Sequence, residues 1–242
     1  MKNKIILVLL QLSSTWVFSQ AGTNTTGMSN EFGMLAAHGA SPTSFSTFQT
    51  YSNNQVEGTQ FFFSDWRKGE IVMYNKQVFN NGIMLAYDKV RQEIFIKQEN
   101  AAEVLLGSKD EINSFSIMDA GKEYHFINSS VYSKEKPEVF YQLLVSDPSK
   151  LTLLKFTKGS FVKADKTDMM KQTAGDIYDS FVDKVSYYIS EQNGELYPIQ
   201  LKTKALKKNF ADLNIHIDKY LDDHPGSIDE DYLVDMVIAL NK

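Results

Sequence analysis

The amino-acid sequence predicts an α+β protein: mainly antiparallel β, as a meander, sandwich or partly open barrel, followed by a C-terminal helical segment. Three observations carry this expectation. Short apolar runs recur about every ten residues between Gly58 and Leu201, punctuated by Gly, Asn, Asp and Pro. Beyond Leu201 the apolar spacing lengthens to three and four residues, the period of a helix. Aromatic side chains, sixteen Phe and twelve Tyr among 242 residues, suit pleated and half-buried surfaces.

The chain begins MKNKIILVLLQLSSTWVFSQ, with Lys2 and Lys4 ahead of an apolar run from Ile5 to Leu10. That is the layout of a cleavable secretory signal over residues 1–20, although Phe18 departs from the small-residue cleavage pattern. Gln11, Ser13, Ser14 and Thr15 interrupt the run, which falls short of the roughly 20 apolar residues of a membrane span. Residues 21–57 are rich in Gly, Ser, Thr, Asn and Ala and read as a flexible polar arm, mobile or only partly docked.

A β-rich domain is expected over 58–201, with about eight to eleven antiparallel strands. Its runs are FFF at 61–63, IVMY at 71–74, VF at 78–79 and IMLAY at 83–87. Asn80, Asn81 and Gly82 separate the last two, and an Asn-Gly pair between apolar runs predicts a hairpin. Asp88 and Lys89 turn the chain into EIFIKQ at 93–98, where Ile94 and Ile96 alternate against Glu93, Phe95 and Lys97. Further strands are expected at 103–106, 112–118 and 124–128. A second hairpin joins 139–145 to 151–156 through Asp147, Pro148, Ser149 and Lys150. Residues 159–179 lose strand periodicity and read as a polar insert. The pattern resumes at 181–189, turns at Asn193 and Gly194, and returns through 195–201, where Pro198 indicates a sheet edge.

The helical tail, 202–242, divides in two. Leu206, Phe210, Leu213, Ile217, Tyr220 and Leu221 predict one or two amphipathic helices from about 202 to 223. Pro225 and Gly226 stop them. Ser227 through Glu230 form a capping box for a last helix whose buried stripe is Tyr232, Leu233, Met236, Val237 and Leu240.

Composition narrows the chemistry. Without residues 1–20, which hold two of the 25 basic residues, 23 remain against 30 acidic ones, a net charge of −7. That argues against a nucleic-acid partner. There is no Cys, hence no disulfide, thiolate nucleophile or lipid-modified Cys. No G-x-S-x-G elbow, H-E-x-x-H helix, Walker loop or dinucleotide fingerprint occurs. His38, Gly39, Ala40 and Ser41 resemble an oxyanion-hole motif but lie in the arm with no strand before them. His125, His216 and His224 are widely separated, and structural or helix-terminal roles suffice for them. Asp222, Asp223, Asp229, Glu230 and Asp231 offer hard ligands without calcium-loop spacing, so capping and solvation account for them. Asp65 beside Trp66, and Asp88 after Tyr87, pair an acid with an aromatic as sugar sites do, yet both positions read as turns. Phe140 with Tyr141, and Tyr187 with Tyr188, put aromatics on both faces of their strands, either for two-sided burial or as a patch for a partner. No catalytic, cofactor-binding or metal residue is therefore assigned, and no cofactor is expected.

The stretch VFYQLLVSDPSKLTLLKFTKG, then SYYISEQNGELYPIQLKTKALKKNF, then EDYLVDMVIALN resembles a group of uncharacterised exported β-rich proteins of Bacteroidota-type bacteria. Residues Gly69 to Val72, Leu85 to Asp88 and Ile112 to Phe115 extend the resemblance over 58–242, except for the polar insert around 163–179. The group has no assigned activity, so the resemblance implies an architecture and an exported address but no site residues.

The sequence thus leads to an exported non-enzymatic envelope protein that binds a protein or surface through strand edges, aromatics or the helical tail. With neither a lipid-modified Cys nor a later apolar span the mature protein is expected to be released, and its ending on a capped helix with no obvious secretion domain favours the periplasm over the medium. A β-barrel or sandwich carrier of a small apolar ligand, or a hydrolase whose carboxylates are assembled by the fold, are the alternatives.

Overall fold

The computed structural model describes residues 30–43, 56–132, 139–147, 150–164, 178–191 and 194–242. The segment read as an export signal, Pro148, Ser149 and Asn193 lie outside the described residues. The chain is mostly antiparallel β-sheet followed by helices, as the alternation of apolar runs predicts.

Helix α1 (Asn30–Ala37) and strand β1 (Ser41–Thr43) come first, then β2 (Val56–Glu57), β3 (Arg67–Met73), β4 (Val78–Phe79), β5 (Ile83–Asp88), β6 (Glu93–Gln98) and β7 (Val104–Leu106). They are followed by β8 (Ile112–Asp119), β9 (Lys122–Asn128), β10 (Phe140–Val145), β11 (Thr152–Val162), β12 (Asp179–Ser190) and β13 (Leu196–Ile199). Helices α2 (Thr203–Asp212), α3 (Asp218–Asp223) and α4 (Glu230–Leu240) end the chain. The strands join in the order β1-β7-β6-β5-β3-β8-β9-β10-β11-β12-β13, with β4 beside β3 and β2 beside β12. Every pairing is antiparallel except β2 with β12.

The inner face of the first half is filled by rings and branched side chains. Phe115 and Phe126, directly opposite on β8 and β9, stack at 4.6 Å, and Phe140 and Tyr87 meet Phe115 edge-on at 5.1 and 5.3 Å. Ile71, Phe79, Ile83, Leu85, Ile94, Ile96 and Ile112 complete this core. The stretch 21–57, expected to be a polar arm, includes α1 and β1. Phe32 and Leu35 of α1 are fully buried in the same core, since these two apolar positions three apart share one helix face.

On the second half, cross-strand registers align Phe115, Phe126, Gln142, Lys155, Tyr187 and Ile199 in one row on the same face of the sheet. Beyond it Leu153, Ile189 and Ile199 form a second core with Leu206 and Phe210 of α2 and Leu233, Met236 and Val237 of α4. Asn241 ties the end of α4 to the start of β11, accepting from Leu151 N at 3.0 Å and donating to Leu151 O at 2.9 Å. Pro198 does stand on an edge strand, where its missing N–H costs no ladder bond.

Four expectations need correction. Asn81 and Gly82 do not close a hairpin: β4 and β5 both pair with β3, Phe79 opposite Ile71 and Leu85 opposite Arg67, so residues 80–82 bulge out of one interrupted strand. Gly82 still takes the left-handed conformation, φ +67°, that the Asn-Gly pair suggests. Residues 61–63 make no strand, because Phe61 bridges Asp88 and packs on Phe95 while Phe62 turns to the opposite side, against Tyr87 and Phe126. The insert expected at 159–179 is shorter, since β11 runs on to Val162 opposite Ser180. Finally, the last helix is capped by Asp229, whose carboxylate accepts from Tyr232 N at 2.9 Å, and Ser227 is outside it.

Candidate functional site

The side chains that the sequence singled out do not converge. His38 Nε2 meets Gln77 Oε1 at 2.9 Å and its ring lies edge-on to Phe79, while Ser41 belongs to β1, opposite Leu106. His125 is exposed, 3.2 Å from Glu123. His216 lies in the coil between α2 and α3, and His224 stacks on Tyr220 at 4.2 Å. Among the described residues no three His, Cys, Asp or Glu side chains are placed to hold a metal ion. Asp65 is exposed, and Trp66 carries the Lys97 ammonium 4.9 Å above its ring. The inner face of the first half, where the apolar-carrier alternative needs a cavity, is occupied by the packed rings of Phe115, Phe126, Phe140 and Tyr87. A hollow of about 260 Å³ is lined instead by Asn81, Gly82, Gln98, Glu99, Asn100 and Ala101.

Tyr141 and Tyr188 settle between the two options set for them. Both are half-buried on the outer face, in ring contact at 5.4 Å, with Phe156 and Tyr132 against Tyr141 at 5.8 and 6.3 Å. Burial holds the Tyr141 and Tyr132 hydroxyls above their ordinary pKa.

Two polar constellations come together that no spacing in the chain announces. At the boundary of the cores Glu230 accepts from Lys155 Nζ at 2.6 Å and from Tyr187 OH at 2.7 Å. Burial first, and then the Glu230 and Asp229 carboxylates, raise the Tyr187 pKa, so the phenol keeps its proton and donates. The second constellation is the β5–β6 turn. There Asp88 is fully buried, Tyr87 OH donates to Gln92 Oε1 at 2.5 Å, and Lys89 reaches Asp183 of β12 at 2.7 Å.

No protein-family model matches the chain, and no curated protein or solved structure is significantly similar to it. Architecture and surface are therefore the grounds for a functional reading.

The longest strands supply the most distinctive surface. β11 and β12 pair over their full described length, from Thr152 opposite Ser190 to Val162 opposite Ser180. On its far edge β12 meets β13 at 187–190 and β2 at 179–180, and no described strand pairs with 182–186 there. Val162, Val182 and Val185, all more than two-fifths exposed, lie along this ribbon. The sequence hinted at it only through a run of β-branched and aromatic residues longer than a core strand requires. No helix among the described residues is long and apolar enough to cross a membrane.

Proposed function

We propose that the chain is an exported, non-enzymatic binding module of the envelope, residing in the periplasm and holding an extended segment of a protein partner along the β11–β12 ribbon. The observation that supports this reading is the coincidence of a strand edge, 182–186, with which no described strand pairs, and the exposed Val162, Val182 and Val185. An open edge offers backbone N–H and C=O groups for strand addition, and flanking apolar side chains add burial and register. Lys184 and Asp183 put charge on this edge, which discourages indiscriminate strand pairing.

The test is a photo-crosslinking residue at Val182 or Val185 of the exported protein in intact cells, followed by fractionation and mass spectrometry. One dominant adduct from these positions, and none from an exposed control such as Asp65, is expected. A periplasmic protein that yields no specific adduct from either position overturns the reading.

A further inference from the structure

The β5–β6 turn does more than connect two strands. The pairing of β10 with β11 ends at Lys155, and farther along the turn meets the same strand: Gly159 N donates to Lys89 O at 3.0 Å, and Gln92 Nε2 donates to Thr157 O at 3.2 Å. Gly159 makes the approach feasible, because a Cβ there would stand 3.0 Å from Val90 Cγ2. Lys158 Nζ donates to Val90 O at 2.7 Å, and Lys89 Nζ crosses to Asp183 Oδ2 at 2.7 Å. The turn is thus the clasp that holds the middle of the ribbon to the first half of the sheet.

Inside this clasp sits a carboxylate with half of its bonding capacity unused. Asp88 Oδ1 accepts from Val90 N at 2.8 Å and Arg91 N at 2.9 Å, which shapes the turn. Asp88 Oδ2 is buried and accepts no hydrogen bond, its nearest cation being Arg91 Nε at 3.9 Å. The charged and titratable groups around it are Arg91 and Lys89 of the turn, Tyr87 and the facing Glu93 of the hairpin, Lys158 of β11 and Asp183 of β12. Residues 58–61, which also cover the turn, bring none. An ionised oxygen with no donor in a buried place costs far more than a protonated one.

We propose that Asp88 makes this junction a proton-gated clasp, closed most firmly when the carboxyl carries its proton and loosened when it ionises. Burial outweighs the two backbone donors and the Arg91 and Lys158 charges, and it holds the carboxyl above the ordinary aspartate range. The closed clasp therefore binds a proton that the opened clasp releases. Its added stability is fully present below the ordinary aspartate pKa and is lost as pH rises through the folded value. Protonation of Asp88 tightens the ribbon against the core, and its ionisation loosens it. This stands independently of what the ribbon binds.

The test is hydrogen exchange of the Gly159 amide, which donates across the clasp to Lys89 O, from about pH 4 to about pH 8, corrected for intrinsic rates, in the wild type and in Asp88→Asn. Asparagine retains Oδ1 for Val90 and Arg91 but cannot ionise. In the wild type, opening is expected to increase with pH by up to about tenfold per unit, the limit for one proton. In Asp88→Asn it is expected to be flat. A flat wild type, or the same slope in the variant, overturns the proposal. Carbon-13 titration of the Asp88 carboxyl in the wild type needs no variant to fold, and a midpoint at or below about 3.9 overturns it equally.

Discussion

Lys155 Nζ lies 2.6 Å from a carboxylate oxygen of Glu230, and this ion pair stands on the line where the two apolar cores meet. Tyr187 OH bonds the same oxygen, so α4 is docked to the sheet by a polar contact at its first turn and by Leu233, Met236 and Val237 beyond it. Negative charge at the first turn also complements the helix dipole. Glu230→Ala removes one acceptor from two donors at once. We expect a loss of about 1–3 kcal/mol, read from denaturant midpoints. In a double-mutant cycle with Lys155→Ala, coupling of about 0.5–3 kcal/mol is expected. Additive effects would show that the pair holds nothing.

Phe32 tests the docking of α1. Its ring is fully buried, and truncation to Ala leaves a void in the first core. A loss of about 3–5 kcal/mol is expected if the helix is an integral part of the domain. A thermal midpoint equal to the wild type would mean that α1 is dispensable.

Gly69 and Gly226 make a contrast. A Cβ at Gly69 would lie 2.4 Å from Ser116 O and 2.5 Å from Leu85 Cδ1, so β3 and β8 would have to separate. Gly226 has nothing within 4 Å. We expect Gly69→Ala to cost about 3 kcal/mol or more and Gly226→Ala to stay within about 1 kcal/mol of neutral. Equal stabilities in urea would contradict the close approach of β3 to β8.

Alkaline stability should fall. Burial, and after it the Asp88 charge, holds the Tyr87 hydroxyl far above its ordinary pKa. A raised value of this kind stabilises the fold fully below the unfolded pKa and progressively less above it. Above about pH 10 the unfolded chain ionises at this position while the folded one does not, a loss of about 1.4 kcal/mol per pH unit from this residue. Tyr87→Phe loses the bond to Gln92 and is expected to be less stable near neutrality but to show a shallower alkaline decline. Parallel declines in the two proteins would assign the effect elsewhere.

Much of the architecture is legible in local pattern. Ile94 and Ile96 alternate with Glu93 and Lys97 and do face the first core, and Phe95 finds a cover of its own in Phe61, Ala86 and Val104. Pro225 and Gly226 fall between α3 and α4 as breakers should. Asn81 and Gly82 show the limit. A left-handed Gly serves a hairpin and a bulge equally, and only the pairing partner, β3 for both flanking runs, separates the two outcomes.

By itself the sequence determined the class of fold, the succession of a strand-rich stretch and a helical tail beyond residue 58, and the absence of cysteine, because strand and helix periods and residue inventories are local properties. The tertiary structure decided what lies opposite what. Glu230 meets Lys155 across 75 positions of chain, Lys89 meets Asp183 across 94, and Asp88 loses its water to residues drawn from distant segments. Such contacts arise from register and closure of the sheet, which are set by the whole apolar surface at once and leave no spacing in the chain to read.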